Sequence, residues 1–305
     1  MASGHGLELA LRLVSWNAHG APGAPRREER MARIAHAALA REPDVVLLQE
    51  VWRQSDAELC FAAFRPAGYV SVEVPGGREW PVRTSGLLSF VRSAAGWRAE
   101  RIRFHEYAAE APDWKIWEGD GISDKGALGF TLTRDGLELA VWNTHLQAAY
   151  EPRGYAEVRR LQLLELRDAV AAGAGPALLA GDLNTTPDEP ALAALAGFRD
   201  LTAPLRHRCA CGTSVDEPPT REWLDYLFAK GADGWRIGAA VSLLRSEQPD
   251  TPYSDHQGLD ALVHVTPPAA HAAVAWLAAS RLAAPTTRRE FLAWVGALSR
   301  VFVWN

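Results

Sequence analysis

Apolar residues along the 305-residue chain come in two rhythms, and their alternation sets the fold class. Short runs rich in Val, Leu and Ile recur at 8–16, 44–49, 86–91, 126–133, 138–145, 177–180, 223–229 and 258–265, and predict strands. Helical spacing fills several of the intervals, at 28–41, 54–64, 155–172 and 189–195. Arg134-Asp135-Gly136 joins two of the runs by a tight turn, because Asp-Gly supplies the positive φ that such hairpins require. Interleaved helices plus a hairpin predict an α/β chain with mixed rather than purely parallel sheets. No repeat or low-complexity linker divides the pattern before about residue 265. The expected organisation is therefore one domain over 1–265 and a helical tail over 266–305. Pro267 and Pro268 open that tail, an Ala-rich helix is predicted at 271–284, and a second follows Pro285 from residue 288.

Composition narrows the class. At 48% hydrophobic residues, the chain can bury a large core, which excludes a disordered protein. A formal net charge of −5 argues against a broadly basic nucleic-acid surface. Cys60, Cys209 and Cys211 make no disulfide framework, and Cys209-x-Cys211 has no further Cys or nearby His pair to complete a zinc site. Residues 1–11 have neither the basic start nor the apolar run of a secretory leader, so a cytoplasmic location is expected. No stretch reaches the roughly 20 uninterrupted apolar residues of a spanning helix.

Polar residues recur at the ends of the apolar runs, where loops on a rigid sheet bring distant side chains together. Asn17 ends the first run and Glu50 the second; His145 follows Asn143-Thr144, Asp182 and Asn184 follow 177–180, and Asp255-His256 precedes the last. Carboxylates and amides suit a hard ion such as Mg²⁺, and Glu50 and Asp255 are the metal-binding candidates. Asp182 and Asn184 alternate on a segment expected to be extended, so both point into one pocket, the acid toward a water and the amide toward a phosphate. Asp225 is the candidate partner that fixes the tautomer of His256, giving an Asp-His dyad beside the nucleophile. Together these groups meet the needs of phosphodiester hydrolysis: a cation, a group to orient or deprotonate water, and donors for the transition state.

Five short motifs, Val46-Leu47-Leu48-Gln49-Glu50-Val51, Asn143-Thr144-His145-Leu146, Gly181-Asp182-Leu183-Asn184, Leu224-Asp225-Tyr226 and Ser254-Asp255-His256, resemble in order the signature of the endonuclease/exonuclease/phosphatase superfamily. The resemblance implies a four-layer sandwich, two mixed β-sheets face to face with helices outside. It also implies that Asn17, Glu50 and Asp255 surround a Mg²⁺ or Mn²⁺ ion while His145 contacts the phosphate. Leu48-Gln49-Glu50-Val51-Trp52, Thr84-Ser85-Gly86-Leu87-Leu88-Ser89, Gly119-Asp120 with Lys125-Gly126, and Asn143 to Ala148 with Tyr150 are closest to the neutral sphingomyelinase branch, as are Arg159 and Gln162-Leu163. That branch implies a phospholipid substrate, with Lys125 and Tyr150 as substrate-binding residues. Two positions depart from the pattern. Asn17 is followed by Ala18-His19-Gly20 where the branch commonly has Trp-Gly-Ile, and Trp223 stands where a basic residue usually precedes the dyad acid.

Trp80, Trp97, Trp114 and Trp117 are first read as core residues and second as a cage for a quaternary ammonium headgroup. Phe291, Leu292, Trp294, Val295, Leu298, Val301, Phe302 and Trp304 nearly surround the final predicted helix. Burial is the first expectation for it, and peripheral contact with a membrane interface the sharper one. His5, His19, His36, His105, His207, His264 and His271 receive no role. The leading expectation is a phospholipase-C-like phosphodiesterase. A nuclease with the same chemistry is the alternative, and a non-catalytic lipid- or protein-binding scaffold the third.

Overall fold

The computed structural model describes residues 9–21, 23–78, 82–111, 124–149, 154–209, 211–215, 221–246 and 251–268. Trp80, Trp114, Trp117, Tyr150 and the helices predicted at 271–284 and from 288 lie outside the described residues.

In chain order the elements are β1 (Leu9–Asn17), α1 (Arg27–Leu39), β2 (Val45–Gln49), α2 (Gln54–Phe64), β3 (Tyr69–Val72), β4 (Leu88–Arg92), β5 (Arg98–Glu106), β6 (Gly126–Arg134), β7 (Leu137–His145), α3 (Ala156–Ala171), β8 (Ala177–Asp182), β9 (Arg199–Asp200), α4 (Ala203–Arg208), β10 (Asp225–Lys230), β11 (Arg236–Leu244) and β12 (Gly258–Thr266). They form two six-stranded mixed sheets, ordered β11-β12-β1-β2-β4-β3 and β5-β6-β7-β8-β10-β9. Each sheet follows the same plan. A central parallel pair, β1/β2 or β7/β8, is joined through a helix, and every other neighbour is antiparallel. The expected α/β sandwich is the observed one.

Strand alternation explains why the central runs are apolar throughout. On β1 and β2, Leu9, Leu11, Leu13, Val45 and Leu47 enter the core shared with the second sheet. Their neighbours Val14, Trp16, Val46 and Leu48 point the other way, against Met31, Ile34 and Ala35 of α1 and Phe61 and Phe64 of α2. Burying side chains of this size contributes about 1.5–3 kcal/mol each. Trp97 is 1% exposed, and the Arg134 guanidinium lies 4.2 Å over its ring, so it is a core residue and not a headgroup cage. The helix predicted at 189–195 is a 3-10 helix over Pro190–Leu195. One further expectation needs correcting. Cys209 and Cys211 form a disulfide, their Cα atoms 5.2 Å apart.

A polar bolt crosses between the sheets just below one rim. Fully buried Asn143 of β7 donates from Nδ2 to the Leu48 carbonyl (3.0 Å) and Ser89 Oγ (3.2 Å) of the opposite sheet, and its Oδ1 accepts from Gln49 Nε2 (2.7 Å). Replacing Asn143 with Leu strands these partners without water. The expected cost is about 2–4 kcal/mol, measured as a lower urea midpoint. An unchanged midpoint would show that the bolt is dispensable.

Candidate functional site

The site is built where the two central parallel pairs stop. Register places Asn17 beside Gln49 in one sheet and His145 beside Asp182 in the other, so four strand ends reach the same rim. Antiparallel β10 begins there, with Asp225 opposite Asp182, and β12 begins just after His256. Two residues leave the strands through left-handed backbone, Glu50 at φ 59° and Asn184 at φ 46°, which turns the chain sharply over the rim.

Asn17 ties the halves together: its Nδ2 donates to Glu50 Oε1 and to Asp182 Oδ2, both at 2.9 Å. His145 Nε2 lies 3.9 Å from Glu50 Oε1 and 3.7 Å from Asp182 Oδ2. On its far side, His145 Nδ1 faces the Lys125 Nζ at 3.3 Å, and that ammonium also donates to the Leu146 carbonyl at 3.1 Å. An ammonium only donates, so Nδ1 accepts and the ring proton sits on Nε2, facing the pocket. Lys125 is 1% exposed and stands behind His145, so its expected place beside the substrate gives way to one behind the imidazole. Trp52 packs on the same pair, its ring centroid 6.2 Å from that of His145.

The expected dyad is present. Asp225 Oδ2 accepts from His256 Nδ1 at 2.8 Å, and His256 Nε2 points to Asp182 Oδ2 at 3.6 Å. Thr213 Oγ1 accepts the N–H groups of Leu224 and Asp225, while Ser254 Oγ donates to the Asn17 carbonyl at 2.7 Å, so both ends of the dyad are fixed to the frame. Asp182 and Asn184 do meet in one pocket, but not by extended alternation. The strand ends at Asp182, and the left-handed turn lets the Asn184 N–H bond Asp182 Oδ1 (2.8 Å) while its Nδ2 bonds the Leu146 carbonyl (3.1 Å). Asp255 is more open, with its Oδ1 3.0 Å from the same Ser254 hydroxyl oxygen.

Burial dominates the electrostatics. It pushes Asp182 up to about 6, with the charge of His256 opposing it. It also raises Glu50, and the nearby Asp255 carboxylate raises it further. His145 falls well below the usual imidazole range through burial and the charges of Lys125 and His256, which fits the neutral tautomer. Burial works against the His256 cation too, but Asp225 and Asp182 outweigh it, and its pKa rises well above that range. The dyad histidine therefore holds its proton between two carboxylates.

These donors fit a hard divalent cation near Glu50. Asp255 adds to the cost of ionising Glu50, which an ion between them would relieve, and among the described residues none donates to Glu50 Oε2. Asp182, Asp225 and His256 also present atoms within 4.8 Å of one another, but His256 Nδ1 is committed to Asp225 there. Asn17, Glu50, His145, Asp182, Asn184, Asp225, Asp255 and His256 thus share one rim, while Tyr150 lies outside the described residues. Sequence reasoning gave no role of their own to Trp52 and Ser254, although both stand inside quoted motifs, and passed over Thr213, because the roles of all three are contacts.

Gly181 carries the geometry at closest quarters. It has φ 147°, and a Cβ there would sit 1.9 Å from the Thr144 carbonyl oxygen. Gly181→Ala is expected to push β8 from β7, displace Asp182 from His145, and cost about 3 kcal/mol or more in thermal denaturation. Wild-type stability in that variant would show that the strands can part without cost.

A family model described as Endonuclease/Exonuclease/phosphatase family matches residues 14–256. Sphingomyelin phosphodiesterase 2 of Homo sapiens is 26% identical over 283 residues, covering 84% of this chain, and the chain spans 65% of that protein's length. Among solved structures, D. rerio TDP2 complexed with single strand DNA product aligns with a TM-score of 0.64 at 20% identity, over 83% of this chain and 98% of that one. A beta toxin variant from Staphylococcus aureus with bound magnesium ions aligns with a TM-score of 0.63 at 17% identity, over 83% and 99%.

Proposed function

This chain belongs to the endonuclease/exonuclease/phosphatase family, whose members hydrolyse phosphodiester bonds, and from that premise we propose that it is a Mg²⁺-dependent phosphodiesterase releasing the headgroup of sphingomyelin or a related phospholipid. The observation that carries the reading is the Asn17 amide joining Glu50 and Asp182 at 2.9 Å beside the Asp225–His256 dyad, which gathers cation ligands, a proton acceptor and phosphate donors in one pocket. The choice of lipid is supported by the 26% identity to a sphingomyelin phosphodiesterase, and the net charge of −5 weighs against DNA.

When bound by Glu50 and Asp255, with Asn17 alongside, the cation would offset negative charge on the phosphate oxygens. Asp182, raised by burial and adjacent to His256, accepts the proton of the attacking water. His256 keeps its proton and donates toward Asp182 and the water, with Asp225 fixing its ring. Asn184 holds a phosphoryl oxygen through its amide. His145 presents its Nε2–H on the departing side as a neutral donor. The P–O bond to the lipid alcohol breaks as the water oxygen bonds phosphorus, and the departing oxygen, hydrogen-bonded by His145, takes its proton from solvent.

Purified protein should hydrolyse sphingomyelin vesicles with Mg²⁺, lose that activity in chelator, and leave supercoiled DNA intact. DNA nicking without lipid hydrolysis would replace the lipid reading with the nuclease one. A pH profile gives a second test. A carboxyl titrating at about 6 is protonated and unable to accept below that pH, so kcat/KM should fall about tenfold per unit on the acid side and level off above. A flat profile down to about pH 4 would remove Asp182 as the acceptor.

A further inference from the structure

The turn after β1 places an imidazole beside Asp255, one of the cation-ligand candidates. His19 has left-handed backbone, φ 50°, and its N–H donates to Asn17 Oδ1 at 2.9 Å. Arg30, 5% exposed, clamps the turn from beneath: Nη1 donates to the Ala18 carbonyl (3.0 Å), Nη2 to the His19 carbonyl (2.7 Å) and Nε to the Pro25 carbonyl (2.9 Å). At the next residue, Gly20, a Cβ would lie 1.9 Å from the Glu50 carbonyl oxygen, so the turn is pressed against the Glu50 backbone. The imidazole therefore has a fixed base. It is 29% exposed, and its Nδ1 stands 3.4 Å from Asp255 Oδ2.

We propose that His19 is a nitrogen ligand of the divalent cation held by Glu50 and Asp255, and that it shifts the ion preference of the site from Mg²⁺ toward first-row transition ions. The inference rests on the metal site argued above. Neighbouring donors of one six-coordinate ion lie about 3 Å apart, since each bond is about 2.1 Å long and adjacent bonds meet near a right angle. The gap between His19 Nδ1 and Asp255 Oδ2 fits that spacing after a shift of a few tenths of an ångström. The remaining ligands are carboxylate and amide groups, which suit Mg²⁺. One imidazole among them favours Co²⁺, because nitrogen donors bind ions further along the Irving–Williams order more tightly.

The test is ion binding by calorimetry on the metal-free full chain, with Co²⁺ and Mg²⁺ as probes, together with the visible spectrum of the Co²⁺ form. His19→Gly suits the left-handed backbone and keeps the turn, and His19→Asn tolerates the same φ while offering an oxygen. Both variants should weaken Co²⁺ binding about tenfold, shift the Co²⁺ bands, and leave the Mg²⁺ affinity within about twofold. Equal changes for both ions, or none, with an unshifted spectrum, would overturn the assignment and leave the Glu50–Asp255 site standing. Failure of the wild-type chain to bind either ion would overturn the metal site itself, and the inference with it.

Discussion

Replacing His256 with alanine or glutamine is expected to lower kcat by roughly 10³-fold, with little change in KM. Among the described residues the imidazole joins Asp225, at 2.8 Å, to Asp182, at 3.6 Å, and its positive charge is held by both carboxylates. Without it, Asp182 loses the charge that keeps it ionised and the water loses a donor. Alanine also leaves Asp225 buried without its partner, which costs about 3–5 kcal/mol, so the glutamine variant is the cleaner probe because its amide can still donate to Asp225. Asp225→Asn combined with His256→Gln should cost little more than the histidine change alone, since the pair acts as a unit. Additive losses would mean that the two residues act separately. Stability supplies an independent readout. A histidine whose folded pKa is raised contributes fully below its unfolded value of about 6.5, and that contribution is lost as pH climbs through the folded value. Wild type should therefore weaken toward alkaline pH through a component that His256→Gln lacks.

Glu50→Gln is expected to lower kcat/KM by about 10³-fold, equivalent to roughly 4 kcal/mol of transition-state stabilisation. The amide keeps the bond from Asn17 Nδ2, so the rim need not rearrange. Its effect on stability has the opposite sign to its effect on activity. Glu50 is raised by burial and by Asp255, so the fold disfavours its charge at neutral pH, and stability falls as pH rises through its folded pKa. The metal-free Gln variant should melt higher than wild type, while the rise in Tm that Mg²⁺ gives wild type should shrink or vanish. A variant that keeps the full Mg²⁺ shift would take Glu50 out of the ligand set.

How much of this was legible in the sequence follows from burial. The eight predicted runs are the eight interior strands, β1, β2, β4, β6, β7, β8, β10 and β12, and the four strands missed are β3, β5, β9 and β11, the edges of the two sheets. An edge strand pairs on one side only, so nothing forces an apolar run. Arg98–Glu106 reads as charged residues with Ile102 39% exposed, and Arg199–Asp200 is two residues long. The site was legible for the complementary reason. Asn17, Glu50, His145 and Asp182 stand where buried runs stop, and a polar residue there interrupts an otherwise apolar pattern. His19 could not be read in this way, because its place depends on Arg30 gripping three carbonyls from a helix eleven residues on. The turn at Asn184 was hidden likewise, since nothing in Gly-Asp-Leu-Asn marks the residue at which the backbone becomes left-handed.

The pairing of β1 with β12, from Leu9 opposite Val265 to Ser15 opposite Leu259, joins the first of the described strands to the last of them. Until β12 has emerged from the ribosome, β1 lacks one of its two neighbours, and neither Asp255 nor His256 can reach the rim. The first sheet must wait for β12, whereas β5 to β10 are contiguous in synthesis and can assemble earlier. Nascent chains stalled before residue 258 should therefore be inert, and they leave β1 without its β12 neighbour until Gly258–Thr266 has emerged.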